Sequence, residues 1–304
     1  MERLKIPRDH FLPQYYQKGF LNSSEKIFAY FIDEKRYLPS SDTKEICIKK
    51  NFHEKETEDY FTQKVEHPAN SVIKKIRALE NFDINEKIYM SRYILIQTFR
   101  SPAYREKLKE EYPKSLKDFS DNFCKNLKYK NGKKISDSEI RRLYTKIAVN
   151  HECHQETWLK MIKSLSNYDG DEHINVLKKL SELKWQFFIT KKYYFITSDN
   201  PVFIFNFGID SELSELSFPI SKNILLWASN RKDIKDCCYY KIPEKYVLDL
   251  NKRQINIADQ FILSPKKEKW IHNHAIKKNN VNRHLISIKK NKKSYLSGPM
   301  IHLP

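Results

Sequence analysis

Residues 184–205 read KWQFFITKKYYFITSDNPVFIF, and the fold is decided by this stretch. Its apolar runs are short and rich in aromatic residues, and the breaks between them, Lys191-Lys192 and Ser198-Asp-Asn-Pro201, are typical of turns. Two more runs of this kind, FPIS and NILLWAS, extend the pattern to Ser229. We therefore predict a succession of short β-strands joined by tight turns.

Upstream of these strands the apolar spacing becomes helical. The stretch 56–82 is acidic at its start and basic near its end, which suits a helix dipole, and Pro68 must kink or interrupt that helix. Residues 84–100, INEKIYMSRYILIQTFR, have apolar positions at helical spacing, and Pro102 marks a helix end. Ser136-Asp-Ser-Glu139 is a capping-box pattern that predicts a further long helix.

The first fifty residues, including FLPQYYQKGF at 11–20, predict short strands. The predicted fold class is therefore α+β: a helical middle, about 56–184, packs on a mostly antiparallel sheet built from N-terminal and C-terminal strands. No Pro/Gly/Ser linker divides the chain. We predict a single α+β domain over residues 1–265 and a basic C-terminal segment over residues 266–304.

The composition limits the function classes. The chain has 304 residues with 18 Phe, 18 Tyr and 4 Trp, enough to build a core, but only 5 Gly. It contains neither of the glycine-rich motifs that hold dinucleotides or nucleotide phosphates. Lys and Arg outnumber Asp and Glu by 56 to 38, a formal charge of +18. A lysine-rich genome is one explanation of this surplus, but a nucleic-acid partner explains the excess over acids better.

The basic segment carries much of this charge. Residues 266–293 hold ten Lys or Arg and one acid, Glu268, together with Trp270. Lysines neutralise phosphates and an aromatic ring stacks on an unpaired base, although Trp270 could equally be packed into the core. The predicted substrate-binding residues here are Lys266, Lys267, Lys269, Trp270, Lys277, Lys278, Arg283, Lys289 and Lys290.

The five cysteines do not form a disulfide framework, the N-terminus has no signal-peptide pattern, and no apolar run is long enough to span a membrane. We expect a cytoplasmic protein without a membrane partner. His151 and His154 lie one helical turn apart, but they lack the further ligands of a zinc site. The vicinal Cys237 and Cys238 are better explained as ordinary packed residues than as a redox pair.

Three polar residues within apolar surroundings are candidates for chemistry. Asp199 follows a strand at a sharp turn beside Asn200, where it is either a turn-forming carboxylate or a base or metal ligand presented at a sheet edge. Arg100 closes a helix on a face that otherwise looks buried, and it demands an acidic partner or a phosphate. Spacing alone favours a structural pair between Arg100 and a glutamate such as Glu66.

Several of these motifs, in the same order, resemble a mainly bacterial family catalogued as domain of unknown function 4238. They are HFLPQYYQKGF at 10–20, NFH at 51–53, the helix of Glu66, QTFRSPAYR at 97–105, FITSDNPV at 195–202, FPIS at 218–221 and FILS at 261–264. His53 and Gln17 depart from the residues usual in that family. The resemblance implies no settled activity, but it implies that His10, Glu66, Gln97, Arg100, Asp199 and Asn200 recur within apolar motifs.

These observations lead to a functional hypothesis. His10, Glu66, Arg100 and Asp199 are predicted to meet in one cleft as catalytic residues, with Gln97 and Asn200 binding substrate. The predicted activity is cleavage of nucleic acid, RNA rather than DNA, in a setting of bacterial defence or toxin action. No cofactor is required, or Mg²⁺ is used with Glu66 and Asp199 as its ligands. The alternatives are a non-catalytic nucleic-acid binder and an enzyme or sensor for a small phosphate or nucleotide; a partner subunit or homo-oligomer is also compatible with the sequence.

Overall fold

The protein has an α+β fold, as the sequence predicts, in which helices pack against several mostly antiparallel sheets. The computed structural model describes residues 8–38, 42–50, 52–102, 104, 129–130, 133–134, 136, 176–205 and 214–277. Much of the predicted helical middle, including the helix expected after Ser136, lies outside these residues.

The N-terminal motif is helical and not a strand as predicted. A short β1 (Arg8–His10) is followed by α1 (Gln14–Gln17) and a 3₁₀ turn (Lys18–Phe20). Pro13 precedes the helix and fixes the backbone for its start, and the main-chain amides of Tyr16 and Gln17 donate to the Pro13 carbonyl. Aromatic enrichment suggested a strand, but here the rings serve to bury the helix in the core.

The central helices agree closely with the sequence pattern. One continuous helix consists of α2 (Lys55–Tyr60), a π-helical turn (Phe61–Glu66) and α3 (His67–Ala78). The π-turn comes directly before Pro68, which has no amide to donate, so the helix continues where a break was expected. After it, α4 (Ile84–Arg100) begins with a capping box in which Asp83 accepts from the Glu86 amide at 2.9 Å.

The C-terminal half supplies most strands. A short helix, α5 (Val176–Glu182), leads into a five-stranded sheet in the order β12-β7-β11-β10-β9. Only the β12–β7 pair is parallel. The strands are β7 (Lys184–Ile189), β9 (Phe203–Phe205), β10 (Glu215–Ser221), β11 (Ile224–Ser229) and β12 (Cys238–Lys241).

A second sheet joins the two ends of the chain, as predicted. Its order is β3-β2-β13-β8, and all its pairs are antiparallel. The strands are β2 (Phe28–Phe31), β3 (Arg36–Tyr37), β8 (Thr197–Ser198) and β13 (Phe261–Ser264). Two small ribbons are separate: β1 with β4 (Ile48–Lys50), and β5 (Tyr129–Lys130) with β6 (Lys133–Lys134).

Buried polar contacts join these layers. The Tyr16 hydroxyl donates to the Pro219 carbonyl at 2.7 Å and lies 2.8 Å from the hydroxyl of Thr197, so α1 touches both larger sheets. Arg77 on α3 donates to the main-chain carbonyls of Tyr15, Tyr16 and Ile220. The N-terminal motif is therefore held in the core by polar contacts as well as by its rings.

The C-terminal part is more folded than the predicted boundary at Pro265 suggests. After α6 (Glu244–Ile257) and β13, a last described helix, α7 (Lys269–Ile276), buries Ile271 and Ala275. Trp270 is half-buried and packs against the same apolar cluster. The beginning of the basic segment is thus part of the folded unit.

Candidate functional site

A buried arginine is the centre of the candidate site. The side chain of Arg100, in the last turn of α4, is only 1% exposed. Its Nη1 donates to Glu66, and its Nη2 donates to the main-chain carbonyl of His10 at 2.8 Å and lies 3.4 Å from Glu58 Oε2. The face of the guanidinium lies 4.8 Å from the centre of the Phe61 ring. Arg100 therefore fixes the end of β1 against two helices.

Both glutamates belong to the same continuous helix. Glu58 lies in α2 and Glu66 ends the π-turn, and both reach one guanidinium. Burial raises the pKa of Glu58, Arg100 lowers it, and Glu66 and Asp9 raise it further. Although burial opposes its charge, Arg100 has a raised pKa because Glu66 and Glu58 stabilise the cation. The site thus combines a fixed cation with a carboxyl group that binds its proton unusually well.

His10 lies at the edge of this cluster. It is half-buried, and its Nε2 is 3.2 Å from the Thr43 carbonyl oxygen. A carbonyl oxygen only accepts hydrogen bonds, so Nε2 carries the proton and the neutral ring keeps a lone pair on Nδ1. Burial lowers the pKa of His10, the Thr43 carbonyl raises it, and Arg100 lowers it. The imidazole is therefore neutral at neutral pH.

The β1–β4 ribbon positions His10. The Asp9 carboxylate accepts from the amides of Phe52 and His53 at 2.7 and 3.0 Å, which anchors the ribbon to the segment before α2. In the antiparallel register His10 pairs with Ile48 and Asp9 with Lys49. Because side chains alternate along a strand, the exposed Lys50 lies on the same face of the ribbon as His10.

The structure thus brings together His10, Glu66 and Arg100, but it engages the fourth predicted catalytic residue elsewhere. Asp199 is 2% exposed, and its two carboxylate oxygens accept from the amides of Asp259 and Gln260 at 2.9 and 2.7 Å. Its carboxylate therefore holds the turn between α6 and β13. These contacts match the turn-forming alternative, although the bonded amides are distant in sequence.

The predicted substrate-binding residues are divided in the same way. Gln97 is buried one turn before Arg100, on the face of α4 that forms the site. Asn200 donates through Nδ2 to the Ile257 carbonyl at 3.1 Å and belongs to the Ser198–Pro201 corner, where Gln254 Nε2 donates to Ser198 Oγ at 2.6 Å. The Ser-Asp-Asn-Pro motif therefore attaches the sheet edge to α6.

The basic residues of the C-terminal segment are only partly described. Lys266, Lys269 and Lys277 are exposed, and the ammonium group of Lys267 lies 5.7 Å from the Phe28 ring centre. Lys278, Arg283, Lys289 and Lys290 lie outside the described residues, as do His151 and His154. Cys237 and Cys238 are both free thiols.

Two searches of the described residues bear on metals and membranes. No group of three or more His, Cys, Asp or Glu side chains there could hold a metal ion. Among those same residues, no helix combines the length and the apolar character needed to cross a bilayer.

Sequence reasoning missed several members of the site. Glu58 precedes Glu66 by two helical turns, Asp9 is adjacent to His10, and Lys50 follows an otherwise unremarkable strand. Tyr15 and Tyr93 also lie here, with ring centres 5.9 Å apart. The spacing of Glu58 and Glu66 was an available signal, but the pairing of β1 with β4 was not visible in the sequence.

The comparisons with known proteins give one match. A family model described as "Protein of unknown function (DUF4238)" matches residues 8–268. No curated protein matches the chain, and no solved structure does. The matched segment contains the whole His10–Arg100 site, the Ser198–Pro201 corner and the start of the basic segment.

Proposed function

Because the chain belongs to the DUF4238 family, which brings no activity with it, we propose a function from its own residues: cleavage of RNA by a phosphodiesterase that needs no metal ion. One observation carries the proposal. The Thr43 carbonyl takes the Nε2 proton of a half-buried His10, which leaves a basic Nδ1 beside a buried Arg–Glu cluster. A neutral imidazole oriented in this way is suited to general-base catalysis.

The reaction requires a nucleophile that the substrate provides. Nδ1 of His10 removes the proton of a ribose 2′-hydroxyl, and that oxygen attacks the adjacent phosphorus. The bond from phosphorus to the 5′-oxygen breaks, and the leaving oxygen takes a proton from an acid. Glu58 is our candidate for this acid, since burial first of all raises its pKa and about a third of its side chain is exposed. The products are a 2′,3′-cyclic phosphate and a 5′-hydroxyl; DNA, without a 2′-hydroxyl, is not cleaved.

Arg100 supports this reaction as a positioning residue. Its side chain is 1% exposed, so the Nη groups that bind Glu66 and the His10 carbonyl do not face solvent. It therefore holds the His10 main chain and orients the two glutamates. The predicted stabilisation of a phosphoryl group falls instead to cations at the surface, of which Lys50 shares the face of His10.

The charge of the chain favours RNA as the partner. The formal charge is +18, and residues 266–293 account for ten cations against one acid. Lys266, Lys267, Lys269 and Lys277, together with Trp270, offer ammonium groups to a phosphate backbone and one half-buried ring. Such contacts predict binding that weakens as the salt concentration rises. This surplus also favours the second candidate, a protein that binds nucleic acid without cleaving it.

Oligonucleotides with a single ribose test the proposal. We expect the protein to cut a DNA strand at one embedded ribonucleotide, in EDTA, and to leave the all-DNA strand intact. His10→Ala should reduce the rate about 10²–10⁴-fold, as removal of a general base does. The matched control is His67→Ala, an exposed imidazole next to Glu66. In the wild type, the rate should rise with pH through a value below 6.5, the ordinary pKa of histidine.

The outcomes separate the candidates. Salt-sensitive binding without cleavage would favour the non-catalytic binder, whereas loss of cleavage in EDTA would exclude the metal-free reaction. Equal rates for His10→Ala and the wild type would remove His10 from the mechanism.

A further inference from the structure

Four buried polar atoms around Arg100 have no well-formed hydrogen bond within the described part of the chain. They are the hydroxyl oxygens of Tyr15 and Tyr93, Nε2 of Gln97 and Nε of Arg100. A buried donor without an acceptor costs free energy, and native proteins contain few of them. Several in one place indicate that an acceptor is missing.

These atoms belong to one cluster. Tyr93, Gln97 and Arg100 are spaced four and three residues apart, which puts them on one face of α4. Tyr15 comes from α1, with its ring centre 5.9 Å from that of Tyr93. Both phenols are also within electrostatic reach of Arg100 and Glu66. The cluster therefore lies directly beside the site of His10.

All four groups are donors. The guanidinium Nε and an amide nitrogen can only donate. Burial holds the pKa of both Tyr15 and Tyr93 well above its ordinary value, so both phenols keep their protons and have them to donate. The missing partner must therefore offer oxygen or nitrogen lone pairs.

The local charge indicates that this partner is neutral. Glu66 and Glu58 already balance the charge of Arg100. A phosphate or carboxylate in the same place would be repelled by two carboxylates, whereas a carbonyl oxygen would not. The partly exposed members, Glu66 and His10, give the direction from which a ligand reaches the donors.

We propose that Tyr15, Tyr93, Gln97 and Nε of Arg100 bind the carbonyl edge of an oxo-nucleobase, with Glu66 accepting from the ring N–H beside that carbonyl. The inference rests on the proposed function and adds to it the class of base next to the cleaved bond. Guanine and uracil carry this carbonyl and N–H pair. Adenine has no carbonyl and does not fit.

Thermal unfolding with millimolar guanosine, uridine or adenosine tests the site. Guanosine or uridine should raise the Tm of the wild type, because a ligand that binds only the folded state stabilises it, and adenosine should leave the Tm unchanged. Tyr93→Phe and Gln97→Met should lose the response. Tyr239→Phe is the matched control, since its hydroxyl donates to the Glu80 carbonyl at 3.2 Å, and it should respond like the wild type.

Tyr93→Phe without nucleoside gives an independent readout. If the hydroxyl has no acceptor in the free protein, its removal leaves the Tm unchanged or raises it. A lower Tm would show that the hydroxyl is already bonded, and this would overturn the proposal. An equal response to adenosine, the absence of any response, or a response that persists in both variants would overturn it as well.

The experiment also distinguishes this inference from the proposed function. Nucleoside binding requires no cleavage, so a selective Tm shift in a protein that leaves RNA intact would support the base site and reject the nuclease. RNA cleavage without any selective shift would support the nuclease and reject the base site.

Discussion

Two buried arginines lie on either side of the N-terminal motif, and their partners differ. Arg77 donates only to main-chain carbonyls in the described part of the chain, those of Tyr15, Tyr16 and Ile220, and burial lowers its pKa. Arg100 is held by Glu58, Glu66 and the His10 carbonyl, and its Nε has no acceptor. The former joins layers of the fold, whereas the latter lies among groups that can exchange protons.

The difference shows how to interpret a buried cation. A guanidinium that is bound by carbonyls stabilises one backbone arrangement and has no chemistry left to perform. A guanidinium among carboxylates, beside a histidine with a free lone pair, controls where protons reside. The site of Arg100 therefore carries our functional proposal, and that of Arg77 explains why the N-terminal motif is rigid.

The largest expected effect is that of Arg100→Met. The variant leaves Glu66 buried without its cation, and breaking a buried pair on one side costs about 3–5 kcal/mol of unfolding free energy. Urea unfolding measures the loss. Replacing Glu66 as well, by leucine, should recover part of it because no buried charge is then left alone. A loss below about 1 kcal/mol for Arg100→Met would show that water already reaches this site.

Gly19→Ala should produce the next largest effect, on the side of Arg77. A Cβ at residue 19 would lie 2.2 Å from Arg77 Nη2 and 2.9 Å from the Ile220 carbonyl oxygen. Displacing them should cost about 1–3 kcal/mol, as overpacking does. The loss should be smaller in an Arg77→Met background, where the guanidinium is gone. Equal losses in both backgrounds would place the strain at the Ile220 carbonyl alone.

The smallest effect is a pH dependence that belongs to Glu58. Burial raises its pKa above 4.5, so its contribution to stability is fully present below pH 4.5 and is lost as the pH rises through the higher folded value. Glu58→Gln should therefore lose less stability than the wild type between pH 4.5 and 7. Arg77→Met should keep the wild-type dependence, since Arg77 does not titrate there. Tm measurements across this range decide, and identical slopes for Glu58→Gln and the wild type would contradict the assignment.

The sequence predicted those parts of the fold that depend on local periodicity. The helix at 84–100 and the strands after Lys184 have regular apolar spacing, so their existence could be inferred. It failed at FLPQYYQKGF because the same aromatic residues suit a strand face and a short buried helix. The choice depends on Pro13 and on tertiary contacts such as Tyr16 with Pro219.

The candidate site was predictable only in part. His10, Glu66 and Arg100 were singled out as polar residues in apolar motifs, and they meet. Asp199 has the same signature, but its acceptors are engaged by amides near residue 260. A carboxylate that caps a turn and one that transfers protons look identical in a sequence, since the distinction depends on which donors the fold brings to them.

The pairing of β2 with β13 has a consequence for synthesis. Phe31 lies opposite Phe261, so one edge of β2 has no partner until almost the whole described chain has left the ribosome. A polypeptide that terminates before Phe261 would leave that hydrogen-bonding edge open to strands of other molecules. Translation to the last strand thus protects the nascent protein from aggregation.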